Sequence, residues 1–268
     1  MVDPVEVVEG EGPMILAMPH AGLHVPDEFA SAMNDAGKTL GDTDWHVDRL
    51  YQGLLPGATT VRATFHRYVI DANRDPSGES LYPGQNTTGL CPSTDFDGRP
   101  IWRQGREPNA EQIEARRRKS HAPYHDALKA QIDRLLARHG TAVLYDCHSI
   151  RSRIPFRFDG VLPDLNVGDN GDSSCASAVA EAVHAVCVAA EGYTSVLNGR
   201  FKGGWTTRHY GDPDGRVHAI QMELAQAAYL DSETPPFAYS ESRAARLRPY
   251  LAAILTRLEQ LALSGTLP

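Results

Sequence analysis

The sequence predicts one three-layer α/β/α domain built on a mixed, mostly parallel central sheet, and three observations lead there. Short apolar runs such as 14–18 and 141–145 end abruptly in polar residues, the pattern of strands buried on both faces. Long stretches at helical spacing, above all 107–139 and 240–263, separate or follow those runs. Across 268 residues no repeat and no shift in composition marks a boundary, so 1–268 reads as a single domain.

Residues 5–20 hold strand material broken at Gly10-Glu-Gly-Pro13, the second run ending at His20. Pro26 to Met33 suits a short helix, opened by proline and acids. A helix capped by Asp42 or Thr43 would bury Trp45, Val47, Leu50, Tyr51 and Leu54, and it crowds Asp44, His46 and Asp48 near its start. Residues 59–64 and 67–74 read as strands, the second finishing in Asp71, Asn73 and Arg74. From 75 to 106 the chain is rich in Gly, Pro, Ser, Thr and Asn. Its tyrosine, phenylalanine and tryptophan make an ordered flap covering the active site the expectation for so long a loop.

Glu107 to His139 is the clearest helical region, and its basic run Arg116-Arg-Arg-Lys119 is expected on a solvated face. Thr141 to Ser149 is a central strand that delivers Asp146, Cys147, His148 and Ser149 to the carboxyl edge of the sheet, where ligands bind in open α/β folds. Beyond it come a strand near 161–167, an alanine-rich helix over 173–190, and a short strand at 195–197. A glycine-rich polar loop follows at 198–211, then a strand over 217–224 that carries Glu223, and a final amphipathic helix over 240–263.

A net charge of -8 argues against nucleic acid or an anionic membrane as the main partner, though a local arginine cluster can still bind small anions. The four cysteines form no CxxC pair, and the N-terminus lacks a signal-peptide pattern, so a reduced cytoplasmic protein is expected. No stretch approaches a membrane span. Nothing in the sequence sets an oligomeric state.

Two strands that each hand a histidine to one edge can hold a metal ion between them, and His20 and His148 are so placed. Two imidazoles and a carboxylate with an open fourth position make a hydrolytic zinc site, which needs a further carboxylate to move the proton. Glu223 fits that part, with a structural ion pair as the alternative. Asn73 and Arg74 supply an amide and a planar fork suited to a carboxylate, which points to an amino-acid-like substrate.

Seven blocks, in order, resemble the N-formylglutamate amidohydrolase family over nearly the whole chain. They are Met18-Pro-His-Ala-Gly22, Asp42-Thr-Asp-Trp-His46, Tyr68-Val-Ile-Asp-Ala-Asn-Arg74, Leu81-Tyr-Pro-Gly84 with Thr87-Thr-Gly-Leu-Cys-Pro92, Asp146-Cys-His-Ser-Ile-Arg151, Leu197-Asn-Gly-Arg-Phe-Lys-Gly-Gly204 and Gln221-Met-Glu223. The resemblance implies metal-assisted hydrolysis of N-formyl-L-glutamate to L-glutamate and formate in histidine breakdown, with Zn2+ or another divalent metal as cofactor. It also implies a phosphorylase/hydrolase-like fold related to zinc carboxypeptidases and aspartoacylase. There an Asn-Arg pair receives the substrate carboxylate and a late glutamate is the base.

Those relatives carry a glutamate ligand three residues after the first histidine, and here that position is Leu23. Asp44 is then the expected third ligand, with His46 as an all-imidazole alternative. The substrate's second carboxylate falls to a cation among Arg67, Arg151, Arg200, Lys202 and Arg208; Arg200 and Arg208, on the glycine-rich loop, are preferred. Three other readings compete. One is an aspartoacylase- or desuccinylase-like zinc deacylase of another N-acyl amino acid. The second is thiol catalysis by Cys147 with His148, geometrically poor because neighbours on a strand face opposite ways. The third is a binding protein without catalysis, which would have no need of Glu223.

Overall fold

The fold is given by a computed structural model that describes residues 2–80 and 87–268. Strands β1 (Val5–Val8), β2 (Met14–Met18), β3 (Thr59–Ala63), β4 (Ala142–Ile150), β5 (Leu165–Gly168), β6 (Ser195–Leu197) and β7 (Val217–Ala225) form one sheet in the order β1-β3-β2-β4-β7-β5-β6. The central pairs β3·β2, β2·β4 and β4·β7 are parallel, as is β5·β6, whereas β1 and β5 run antiparallel to their inner neighbours β3 and β7.

Helices α1 (Asp27–Ala30), α2 (Asp35–Lys38), α3 (Val47–Tyr51), α4 (Ala110–Arg116), α5 (Ala122–His139), α6 (Ser177–Val188), α7 (Trp205–Tyr210) and α8 (Glu241–Leu263) complete the chain. A π-helical turn, Arg117–His121, joins α4 to α5. None of these helices is long and apolar enough to cross a membrane.

Strand alternation sorts the core into two layers. Met14, Leu16, Met18, Val143, Tyr145, Cys147, Ile220, Met222 and Leu224 face one side, where they pack with α3, α6 and α8. Ile15, Ala17, Leu144 and Ala219 face the other side, against Leu128, Ile132 and Leu135 of α5. On that second face both central strands change character at one level. Register pairs Leu144 with Ala219, then Asp146 with Gln221, then His148 with Glu223. The apolar half lies under α5, and the polar half beyond it is the floor of a cleft.

Several sequence expectations need correction. The helix expected from Asp42 or Thr43 begins only at Val47, because His46 takes a left-handed conformation (φ 59°) and breaks the turn before it. Residues 67–74 are not a strand: Tyr68 and Val69 direct their N–H groups to the ring and carbonyl of His66, and Asp71 N–H goes to the Leu90 carbonyl. Arg116 is not solvated. It is buried, donates from Nη1 to the Val69 carbonyl at 3.0 Å, and lies over the Phe29 ring. The expected loop 198–211 contains α7, which starts after Gly204. The strand sought at 161–167 begins only at Leu165. The Leu81-Tyr-Pro-Gly84 block lies outside the described residues.

Candidate active site

His20 stands just past the end of β2, His148 near the end of the adjacent β4, and their Nδ1 atoms are 3.2 Å apart. Asp44 reaches the same point from the loop before α3. Its backbone N–H donates to the His20 carbonyl, and its Oδ2 lies 3.1 Å from His148 Nδ1 and 3.7 Å from His20 Nδ1. All three side chains are buried. One donor atom from each lies within 4.8 Å of the others, a group able to hold a metal ion. His46 is turned away, with Nε2 3.0 Å from the Phe237 carbonyl.

The outer edge of each ring faces an acid. His20 Nε2 lies 2.6 Å from Asp71 Oδ1. Since an ionised carboxylate can only accept, the proton sits on Nε2 and leaves the Nδ1 lone pair facing inward. Burial alone would raise the Asp71 carboxyl, but the Arg67 guanidinium 2.7 Å away, with His20, holds it well below the usual range. His148 Nε2 lies 3.0 Å from Asp146 Oδ1, out of line for a hydrogen bond but close enough for an ionic contact, and 3.1 Å from Asn73 Nδ2.

Burial works against a charged His148, yet Asp146 first and Asp44 with it keep its imidazole well above the ordinary histidine value. Burial likewise opposes the Asp44 charge, and His20 and His148 outweigh it, so that carboxyl is held low. The centre is therefore built to stabilise positive charge. Zinc–nitrogen bonds of about 2.0–2.1 Å in a tetrahedron set two nitrogens roughly 3.3 Å apart, close to the spacing of the two imidazoles. The donor set fits the implied ion.

Glu223 faces this group from β7, paired in register with His148. Burial pushes its carboxyl up to about 8, with Asp44 adding to the rise and His148 and Arg67 opposing it. Gln221 Nε2 donates to its Oε2 at 3.2 Å. Cys147, between Asp146 and His148, points into the opposite core layer, and burial raises its thiol well above the usual value. That placement removes the geometric basis for a Cys147–His148 nucleophile pair.

Asn73 is pinned on three sides: its N–H goes to Asp71 Oδ1 (2.9 Å), its Oδ1 accepts from Thr206 N–H (2.8 Å), and its Nδ2 meets His148. Gly204 is required beside it, because a Cβ there would lie 2.1 Å from Asn73 Nδ2. Arg74 lies in the cleft wall, its Nε and Nη2 on the carbonyl and hydroxyl of Thr88 and its Nη1 on the Asn73 carbonyl.

Among the described residues that line the cleft are Arg67, Arg74, Arg157 and Arg200, along with Thr87 and Phe96 from the long loop. Arg208 does not line it; its Nε folds back onto the Gly203 carbonyl. Nothing in the sequence pattern singled out Arg157, which sits in an irregular segment and lies over the Phe96 ring (4.2 Å) that Arg67 also faces (4.8 Å). Asp71 and Asp146 were visible as polar strand ends, but their role as histidine partners was not.

These features can be set beside known proteins. The model of the N-formylglutamate amidohydrolase family matches residues 12–230. An N-formylglutamate deformylase of Pseudomonas aeruginosa is 46% identical over 250 residues, covering 93% of this chain and 93% of that protein. One from Pseudomonas putida is 44% identical over 251 residues, with 93% of each covered. The crystal structure of an N-formylglutamate amidohydrolase from Ralstonia eutropha JMP134 superposes with a TM-score of 0.82 at 25% identity, covering 99% of this chain and 100% of that one. With the family pattern running from the loop before β2 past the end of β7, and nearly half of the aligned positions shared with two deformylases, the chain belongs to the N-formylglutamate amidohydrolase family.

Proposed function

We propose that this chain hydrolyses N-formyl-L-glutamate to L-glutamate and formate with a divalent ion, Zn2+ by its donor set, held by His20, Asp44 and His148. The observation that carries this reading is the meeting of those three buried donors with Glu223 across the β4·β7 pair, on the floor of an arginine-walled cleft. When bound, the ion supplies Lewis-acid polarisation of the formyl carbonyl and a water whose pKa falls to about 7. Glu223 takes the proton of the attacking water on its carboxylate and returns it to the amide nitrogen, so that glutamate departs as the amine and the formyl carbon as formate. The burial of Glu223 and its register opposite His148 support that role.

Asn73 and Arg74 receive the α-carboxylate, and Arg200 and Arg157 the side-chain carboxylate. Residues 1–268 act as one domain in which the long loop covers the site through its described residues; Thr87 and Phe96 in the cleft wall support that role. The proposed setting is histidine degradation in the cytoplasm, where the free thiols Cys91, Cys147, Cys175 and Cys187 stay reduced.

Formate release from N-formylglutamate, measured on chelator-stripped and zinc-restored protein, tests the reading. Loss and recovery are expected; full activity after complete metal removal would overturn the metal's part. A panel of formyl, acetyl and succinyl amino acids checks the acyl group. Preference for an acetyl or succinyl substrate would make the protein a related zinc deacylase instead.

A further inference from the structure

The π-helical turn Arg117–His121 is where α4 passes into α5, and π-turns of this kind recur at functional sites because they re-aim the side chains that follow. Here they aim two buried histidines, His121 and His125, whose rings lie 4.4 Å apart. His125 Nε2 is 2.8 Å from the Ala72 carbonyl and His121 Nε2 is 3.0 Å from the Arg74 carbonyl. A carbonyl only accepts, so each ring donates from Nε2. Between those two carbonyls, the Asn73 carbonyl accepts from Arg74 Nη1 at 2.9 Å. All three successive carbonyls of the segment thus have a donor, and two of the donors come from one short stretch of helix.

The same pair of rings touches the other grip on Asn73. Trp205 of α7 packs edge-on against His125 (4.6 Å) and near His121 (5.8 Å), and the next residue, Thr206, holds Asn73 Oδ1. Tyr210 at the end of α7 places its hydroxyl 3.1 Å from His125 Nδ1. Burial lowers His121 and brings His125 down to about 3, and a ring whose Nε2 faces a carbonyl donates from that atom whether neutral or charged.

We propose that His121 and His125 are positioning residues for substrate recognition: gripping the carbonyls on either side, they set the Asn73 amide and the Arg74 guanidinium against the substrate's α-carboxylate. The inference rests on the functional reading above, in which Asn73 and Arg74 hold that carboxylate. It assigns a purpose to the π-turn and to two histidines that take no part in the ion site or the proton transfer.

The test compares wild type, His121→Ala and His121→Gln for turnover of N-formylglutamate, zinc affinity and urea midpoint. Glutamine carries an amide N–H donor that can reach for the Arg74 carbonyl in place of the ring. The expected result for His121→Ala is a KM raised about tenfold or more with kcat changed much less, since the anchor is loosened while the reacting groups stay in place. Zinc affinity holds, and His121→Gln recovers most of the lost KM. Unchanged KM in both variants, or a His121→Gln variant as impaired as His121→Ala, overturns the proposal. So does a joint fall of KM performance, zinc affinity and urea midpoint, which marks a general packing role. Wild-type protein that does not hydrolyse N-formylglutamate removes the functional reading and this inference with it, whereas an active wild type with insensitive variants removes the inference alone.

Discussion

Glu223 and Asp71 are both buried carboxylates at the site, yet their surroundings drive them in opposite directions. Arg67 and His20 hold Asp71 ionised, while Glu223 accepts from the neutral amide of Gln221 and burial pushes it up to about 8. Their tests differ accordingly. Glu223→Gln should lower kcat by about 10²–10⁴-fold in steady-state assays while zinc binding stays near wild type, because it removes the proton carrier and not a ligand. Asp71→Asn should weaken zinc affinity by roughly 10–100-fold in a competition titration against a chelator, because His20 loses the anion that fixes its tautomer.

At the scale of elements, the site depends on where strands stop and what their ends meet. His20, His148 and Glu223 were legible because polar residues closing an apolar run lie at the sheet edge, whereas Asn73 and Arg74 stood out as an amide beside a guanidinium although the strand expected to carry them does not form. The Asp146 contact with His148, two residues along β4, was not legible, because it depends on side-chain rotamers that the alternation leaves open. Nor were Arg157 and the Asp71 contact, because each joins segments far apart in sequence that no local period encodes. The missed helix α7 has the same cause. Its glycine-rich start reads as a loop, and the reason for Gly204 is visible only once Asn73 is seen against it. Gly204→Ala should therefore displace Asn73 and raise KM for N-formylglutamate by about tenfold or more, with the far-ultraviolet circular dichroism unchanged.

Across the whole molecule, two histidines buried outside the ion site contribute a stability that acid removes. His66 and His125 both fall from 6.5 to about 3 on folding, burial being the main cause. Between those values the unfolded chain binds more protons than the native one, so their contribution is complete above about 6.5 and is lost as pH falls toward about 3. These two rings pull the urea midpoint down as pH is lowered from 7 to 5, against the opposite pull of Glu223, whose raised carboxyl binds its proton in the folded chain first. His66→Gln should flatten that slope by about one proton, and an unaltered slope would contradict the burial of a neutral ring at 66.

The wall formed by Arg67, Arg74, Arg157 and Arg200 gives a protein of net charge -8 a local basin of the opposite sign. Such a basin does not distinguish the intended guest from any compact dianion. Phosphate, sulfate and succinate in a buffer should act as competitive inhibitors, relieved by higher substrate concentration. Released glutamate, itself a dicarboxylate, should slow the protein as it accumulates.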